Sequence, residues 1–154
     1  MVSDKFKENA SYAVHILTFI AYFVLLFVLE TPPALHFLQC IGLVLFVFGI
    51  LFLVFSLFAL LRNKRGKLIQ TGVYGIVRHP MYLGAILLFT AMVCFLPHWI
   101  MLLLSAINII IVYRFMVEGD AKNIEKFGIV YREYMTQVPR ASPLLGLIRW
   151  IGRK

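Results

Sequence analysis

Four long apolar runs, separated by short polar connections, fill most of the first three quarters of this chain. They cover residues 10–29, 35–61, 81–96 and 99–117. A helix that crosses the bilayer core needs roughly 20 mostly apolar residues, so each run is predicted to be a transmembrane helix. The pattern therefore predicts an all-α integral membrane protein, with one domain over residues 1–154.

The connections between the runs predict how the helices follow one another. The first run stops at Glu30, where a charge is followed by the helix breakers Pro32 and Pro33. Only Pro97 and His98 separate the third run from the fourth, so these two helices are predicted to form a tight antiparallel hairpin. Such a hairpin brings the chain before the third run and the chain after the fourth to the same side of the membrane.

Composition supports this interpretation. Hydrophobic residues make up 62% and charged residues 14% of the 154 residues, whereas soluble domains are typically about half apolar and a quarter charged. These values exclude an ordinary water-soluble globule and a disordered chain. The two cysteines, Cys40 and Cys94, lie in apolar runs without a CxxC spacing, which predicts buried thiols and no metal site.

The net charge of +8 points to anionic lipid headgroups and not to nucleic acid, because the cations lie in polar connections where membrane orientation is decided. The first and third connections carry no Lys or Arg. The cations of the second connection and the C-terminal segment are Arg62, Lys64, Arg65, Lys67, Arg78, Lys122, Lys126, Arg132, Arg140, Arg149, Arg153 and Lys154. The positive-inside rule therefore places both termini in the cytoplasm. The host membrane would be the cytoplasmic membrane of a prokaryote or the endoplasmic reticulum of a eukaryote.

The interior of the predicted spans is poor in ionisable groups. Its mid-span polar residues are His15, Ser56, Ser105 and Asn108, and it holds no carboxylate. Ion-coupled transporters usually place an ionisable partner for the ion at membrane depth. A small coupled transporter is therefore disfavoured.

A first polar segment, residues 72–84, leads into the third run. Pro80 suits the first turn of a helix, because its missing N–H would be unpaired there. Arg78 and His79 stand just before this helix N-terminus, which attracts anions. The segment predicts a corner that binds a carboxylate or phosphate. The alternative is that Arg78 reaches lipid phosphates and His79 only caps the helix.

A second polar segment follows the fourth run and has the opposite charge, with Glu118 and Asp120. If the third and fourth runs form the predicted hairpin, these carboxylates face Arg78 and His79. The combined charges suit a zwitterionic amino-acid ligand, with one end bound by each pair. The alternative is an ion pair at the membrane surface, including Arg114 with Glu118 at i, i+4.

Two further helical segments are predicted after the fourth run. An apolar stripe at steps of three or four residues consists of Ile124, Phe127, Tyr131, Tyr134 and Val138. It indicates an amphipathic helix packed on the core or the membrane, and a role for Tyr131 or Tyr134 in covering an adenine or substrate is the alternative. The tail from Pro143 mixes apolar residues with cations, which is typical of an interfacial anchor helix.

Two motifs carry a family resemblance. Residues 72–84 closely resemble the GPYxxVRHPxYxG signature of membrane-embedded methyltransferases, a group that includes isoprenylcysteine carboxyl methyltransferases and phospholipid N-methyltransferases. Residues 127–140 resemble the second signature of that group, FGxxYxxYxxxVPR, which follows an acidic pair. The resemblance covers roughly residues 66–140, and two motifs in this order around a helical hairpin form a specific signal.

The chain departs from the family pattern at two places. Val73 replaces the usual Pro, which loosens a turn. Gly119 and Asp120 stand where the family has two adjacent glutamates. Either Glu118 supplies the second carboxylate from one position earlier, or one contact of the family is lost.

The resemblance implies that S-adenosylmethionine is the cofactor and that cytoplasmic segments 72–84 and 118–140 bind it. The expected cofactor-binding residues are Arg78, His79, Pro80, Tyr82, Gly84, Glu118, Asp120 and Tyr131. If the acceptor is an amine, His79 or a nearby carboxylate is expected to act as the base. Arg140 is expected to orient an anionic substrate head, and the alternative is a contact with a lipid phosphate.

The implied reaction is methyl transfer to a lipid-like or hydrophobic acceptor, of the isoprenylcysteine carboxylate or phospholipid amine class. Membrane lipids and this substrate are the expected partners. One alternative is an NADPH-dependent membrane reductase of the sterol reductase type, although such enzymes are generally larger. The other is a non-catalytic small membrane transporter or scaffold.

Overall fold

All regular structure is helical in the computed structural model, which describes residues 4–29, 36–63 and 66–152. In chain order the helices are α1 (Asp4–Val28), α2 (His36–Arg62), a 3₁₀ turn (Gly72–Gly75), α3 (Pro80–Phe95), α4 (Trp99–Phe127), α5 (Ile129–Gln137) and α6 (Pro143–Ile151). The predicted all-α fold is thus confirmed for these residues. The predicted break after the first run, at Glu30, Pro32 and Pro33, lies outside the described residues. So do four of the predicted cytoplasmic cations, namely Lys64, Arg65, Arg153 and Lys154.

Two of the helices are long and apolar enough to cross a membrane. These are α2 with 27 residues and α4 with 29 residues. The apolar part of α1, Ala13–Leu25, and the whole of α3 are apolar but shorter. The same four segments carry the four apolar runs of the sequence.

The α3–α4 hairpin forms as the short connection predicted. The chain turns between Phe95 and Trp99, and the His98 side chain caps α4 by accepting a hydrogen bond from the backbone N–H of Ile100 at 3.2 Å. Leu96 is buried at the turn and packs with Tyr22 of α1.

Helices α2 and α3 approach each other closely where small residues face across the contact. A Cβ added at Gly84 of α3 would lie 2.8 Å from the carbonyl oxygen of Gly49 on α2, and one added at Gly42 would lie 3.0 Å from Cβ of Cys94. Small residues let helix backbones come together in this way, and the close contact is made by van der Waals packing.

Helix α1 contacts α4 through a seam of paired polar side chains. The Ser105 hydroxyl donates to the carbonyl oxygen of Phe89 at 2.8 Å, so the Tyr22 hydroxyl at 2.8 Å is the donor to Ser105. Further along the seam, His15 Nδ1 pairs with the side-chain oxygen of Asn108. Each of the mid-span polar residues His15, Ser105 and Asn108 therefore has a hydrogen-bond partner on a neighbouring helix, as buried polar groups generally do.

Helix α4 continues ten residues beyond the predicted end of the fourth run at Val117. The apolar run ends before the helix does, because hydropathy shows only which part of a helix lies in an apolar environment. The backbone hydrogen bonds of the helix continue into the polar sequence. Gly128, with a φ of +58°, breaks the predicted amphipathic helix into the end of α4 and a separate α5. Tyr131, Tyr134 and Val138 are buried together in one cluster, so the predicted packing of the stripe is confirmed.

Candidate ligand-binding site around Asp120

The hairpin brings the two polar segments of the sequence into contact. Pro80 is the first residue of α3, as its missing backbone N–H predicted. The two residues before it are held by the second segment, because the backbone N–H of Arg78 donates to the carbonyl of Pro139 at 3.0 Å and that of His79 to Arg140 at 3.2 Å. Both side chains are thereby aimed at the end of α4, where Asp120 lies.

Asp120 is the centre of a buried polar cluster. Its Oδ1 accepts hydrogen bonds from Nε2 of His79 at 2.8 Å and from the hydroxyl of Tyr131 at 2.6 Å. Its Oδ2 accepts from Nε of Arg140 at 2.9 Å and lies 3.5 Å from Nη2 of Arg78. Three hydrogen bonds and one ion pair therefore engage both oxygen atoms of the carboxylate, which offers about four acceptor positions when ionised.

The protonation states of the cluster follow from these contacts. Burial raises the pKa of Asp120, but hydrogen bonds from His79 and Tyr131 and the nearby positive charges outweigh it and hold the pKa well below its usual range. Burial and the hydrogen bond to Asp120 raise the pKa of Tyr131 to about 12. Burial lowers the pKa of Arg140, but its hydrogen bond to Asp120 outweighs this and raises it. At neutral pH Asp120 is therefore an anion, and Tyr131 and Arg140 keep their protons.

His79 takes part in the cluster and does not cap α3 with its side chain. It occupies the N-cap position but makes no side-chain capping hydrogen bond. Because ionised Asp120 can only accept, Nε2 of His79 carries the hydrogen in their contact. In the neutral imidazole this leaves Nδ1 as the nitrogen that can take up a proton.

Arg78 is the residue of the cluster with unused hydrogen-bonding capacity. Its side chain is only 7% exposed, and while Nη2 faces Asp120, its Nε and Nη1 atoms are buried without a hydrogen-bond partner among the described residues. Leaving such donors unpaired costs on the order of 1–3 kcal/mol each, more for a charged group. A bound anion would complete this guanidinium, and carboxylates and phosphates match its geometry.

A cavity of about 420 Å³ adjoins Arg78 and His79. Tyr74, Tyr82, Tyr131 and Tyr134 contribute to its lining, and the Tyr134 hydroxyl donates to the carbonyl oxygen of Tyr74 at 2.5 Å. The 3₁₀ turn, α3, α4 and α5 therefore all contribute walls. The volume lies within the usual range of about 300–1,000 Å³ for small-molecule sites.

The predicted site residues divide into three groups. Arg78, His79, Asp120, Tyr131 and Arg140 lie together in the cluster, and the Tyr82 ring lies 5.7 Å from that of His79 and lines the cavity. Pro80 is buried at the start of α3. Within the described part of the chain, Pro80 and two further predicted residues lie outside both the cluster and the cavity lining. The other two are Gly84, which packs against α2, and Glu118, which is exposed.

Sequence reasoning missed several residues that line the cavity. Lys67 and Lys126 were considered only as charges that set the orientation of the chain in the membrane, and Asn123 was not considered. All three residues border the cavity. Asn123 and Lys126 lie one helical turn and nearly two turns after Asp120, so the continuation of α4 as a helix was the signal that could have found them. Within the described residues, no group of three or more His, Cys, Asp or Glu side chains is arranged to hold a metal ion.

Comparison with known proteins gives one match. No curated protein and no solved structure matches the chain. The family model of the proteins of unknown function DUF1295 matches residues 6–138, which include α1 to α5 almost completely and nearly all of both polar segments. Since the match covers most of the chain, this protein belongs to the DUF1295 family.

Proposed function

We propose that this protein is a membrane-embedded, S-adenosylmethionine-dependent methyltransferase that acts on a lipid-like or hydrophobic acceptor. The observation that carries the proposal is the buried guanidinium of Arg78, whose Nε and Nη1 lack partners at the edge of a cavity built by both signature segments. The proposal includes four transmembrane helices, α1 to α4, with the cavity on the cytoplasmic side.

The surface and the helix lengths support the membrane placement. Large apolar side chains such as Phe27, Phe48 and Leu102 are more than half exposed, and a bilayer would cover them. Helix α4 is about 43 Å long at 1.5 Å per residue, which exceeds the roughly 30 Å hydrocarbon core. Its last third, with Asp120, extends beyond the core and carries the cluster into the interface.

The cavity fits S-adenosylmethionine by its chemistry. The carboxylate of the cofactor suits the unpaired Nε–H and Nη1 donors of Arg78, because hydrogen bonds between a guanidinium and a carboxylate are charge-assisted and strong. The sulfonium and the adenine suit the rings of Tyr74, Tyr82 and Tyr131, because aromatic faces attract cations and stack on bases. Asp120 is engaged by four protein donors, so it acts by holding Arg78 and His79 in position.

When bound, the cofactor supplies a methyl group already activated by the sulfonium, so the chain mainly has to align donor and acceptor. The Asp120 cluster fixes Arg78, and burial keeps water from the reacting centre. For an amine acceptor, Nδ1 of His79 takes up the proton while Asp120 holds Nε2. For a carboxylate acceptor no base is needed. Arg140, whose side chain is 30% exposed, orients an anionic head at the rim.

A second candidate is an NADPH-dependent membrane reductase. The observation in its favour is that Lys67, Lys126 and Arg78 all line the cavity, which suits the phosphates of a dinucleotide. A non-catalytic scaffold or transporter would leave the unpaired donors of Arg78 without a ligand.

Isothermal titration of the detergent-purified protein with S-adenosylhomocysteine and with NADPH distinguishes these functions. We expect S-adenosylhomocysteine to bind, and Arg78→Lys to weaken binding roughly tenfold or more, because hydrogen bonds to charged groups contribute about 1.5–3 kcal/mol and a lysine has a single ammonium in place of the guanidinium donors. The matched control is Arg132→Lys, at an exposed position of α5, which should bind normally. Binding of NADPH alone would overturn the methyltransferase in favour of the reductase, and binding of neither would overturn both.

Transfer of a radiolabelled methyl group identifies the acceptor class. N-acetyl-S-farnesylcysteine, whose amine is blocked, tests the carboxylate class, and phosphatidylethanolamine tests the amine class. We expect one of them to be labelled, and His79→Gln to abolish labelling only if the acceptor is the amine. Labelling of neither would place the acceptor outside both lipid classes.

A further inference from the structure

A second cavity, of about 610 Å³, also borders the 3₁₀ turn. The cavity next to Arg78 and His79 is called the ligand cavity below. The lining of the second cavity is mainly apolar and comes from Phe55 and Phe58 of α2, Ile69, Ile76 and Trp150 of α6. Arg62, the last residue of α2, is the single charged residue that lines it within the described part of the chain. The site is thus an apolar groove with one cation, and we call it the α2–α6 groove.

Helix α6 is seated against the 3₁₀ turn by a backbone contact that only glycine allows. A Cβ added at Gly146 would lie 1.9 Å from the carbonyl oxygen of Ile76, which is an overlap. The indole of Trp150 lies against the same turn, because a Cβ added at Gly75 would be 3.7 Å from its Cδ1. This places Trp150 at the edge of the groove, while Leu144 and Ile148 on α6 stay more than half exposed.

We infer that the α2–α6 groove binds an anionic phospholipid, with one acyl chain along the apolar wall and the phosphate paired with Arg62. The inference rests on the proposed membrane placement, but not on the cofactor or the reaction. Three features select this occupant: apolar walls for the chain, a cation where a headgroup would lie, and a tryptophan at the edge, the position this residue favours at membrane interfaces. A zwitterionic lipid carries its own cation beside the phosphate, so its complex with Arg62 would keep a net positive charge, whereas an anionic lipid neutralises that charge.

The lipid would lie directly behind one wall of the ligand cavity. Val73 lines the groove and its neighbour Tyr74 lines the ligand cavity, while Ile69 borders both. Residues of the 3₁₀ turn therefore contribute to the walls of both cavities. An acyl chain in the groove supports this turn from the membrane side.

Fluorescence quenching by brominated lipids tests the inference, because the chain has only two tryptophans. In Trp99→Phe, Trp150 is the sole tryptophan, and its indole is excited selectively over the seven tyrosines. The protein is reconstituted in phosphatidylcholine bilayers, and increasing fractions of brominated phosphatidylglycerol or brominated phosphatidylcholine are added. We expect half-quenching at a roughly fivefold lower fraction of the anionic lipid, which corresponds to one cation near the membrane surface.

Two arginine variants in the Trp99→Phe background separate a specific site from a general charge effect. Arg62→Gln should remove the preference, and Arg132→Gln, which changes an exposed cation away from the groove, should leave it unchanged. Equal quenching by both lipids, or a preference that survives Arg62→Gln, would overturn the lipid site. Absence of quenching by either lipid would overturn the membrane placement as well. Titration with S-adenosylhomocysteine reports on the proposed function independently of all these outcomes.

Discussion

Helix α3 is held in two different ways at its two regions, and the contrast shows what fixes each. At its N-terminus, Arg78 and His79 are positioned by the charge and hydrogen bonds of Asp120. Along its body, Gly84 is positioned by the absence of a side chain against Gly49. The first region tolerates little change of charge and the second little change of size, because a buried cation needs its partner whereas a close helix contact needs space.

Loss of the carboxylate should have the largest effect. Asp120→Ala leaves buried Arg78 without its counter-ion, so we expect a loss of about 3–5 kcal/mol in the free energy of unfolding. Unfolding by SDS in mixed micelles measures it. Asp120→Asn is the matched variant of the same shape, and it should lose less. If both variants unfold like the parent, the cluster does not position the N-terminus of α3.

Acid should act on the same region. Folding lowers the pKa of Asp120, so its contribution to stability is present above the unfolded value of about 3.9 and is lost as the pH falls towards the folded value. We expect the melting temperature of the parent to drop below about pH 4 and to approach that of Asp120→Asn. A constant gap between the two proteins across this range would contradict the assignment.

Adding a methyl group to the body of α3 should have an intermediate effect. The new Cβ of Gly84→Ala would meet the backbone oxygen of Gly49, so we expect a destabilisation of about 1–3 kcal/mol, as for other overpacked sites, in the same SDS titration. Gly152→Ala is the control, because its Cβ would make only ordinary contacts at 3.6 Å or more. Equal stability of the two variants would show that α2 and α3 can separate without cost.

Removal of one hydroxyl should have a smaller effect. Tyr134→Phe loses the hydrogen bond to the carbonyl of Tyr74 but keeps the buried ring, so we expect a loss of about 1 kcal/mol. Because this bond ties α5 to the 3₁₀ turn, the variant should also bind S-adenosylhomocysteine more weakly in calorimetry. Unchanged stability and binding would mean that the turn is held by other contacts.

The smallest effect is expected at Glu118, two residues before Asp120. Its side chain is exposed, so Glu118→Gln should change the unfolding free energy by less than about 0.5 kcal/mol and leave ligand binding unaltered. A strong effect on binding would instead support Glu118 as the replacement for the second family glutamate.

Much of the architecture could be predicted from the order of residues. Hydropathy is a local property, so the four apolar runs located α1 to α4, and two residues between runs were enough to predict the α3–α4 hairpin. That hairpin in turn predicted the meeting of Arg78 and His79 with Asp120. The end of α4 could not be predicted from hydropathy, because a helix continues in polar sequence until a residue such as Gly128 breaks it.

The distribution of partners within the site was decided only by the tertiary structure. Sequence spacing placed Arg78 and Asp120 on the same side, but it could not show that Asp120 accepts three hydrogen bonds and pairs with Arg78 while two nitrogen atoms of Arg78 stay unpaired. Likewise, Gly84 is part of the signature but serves the contact with α2. The physical reason is that the pattern of apolar residues along the chain indicates which residues are buried. Hydrogen bonds and close packing depend instead on distances between segments that are far apart in the chain.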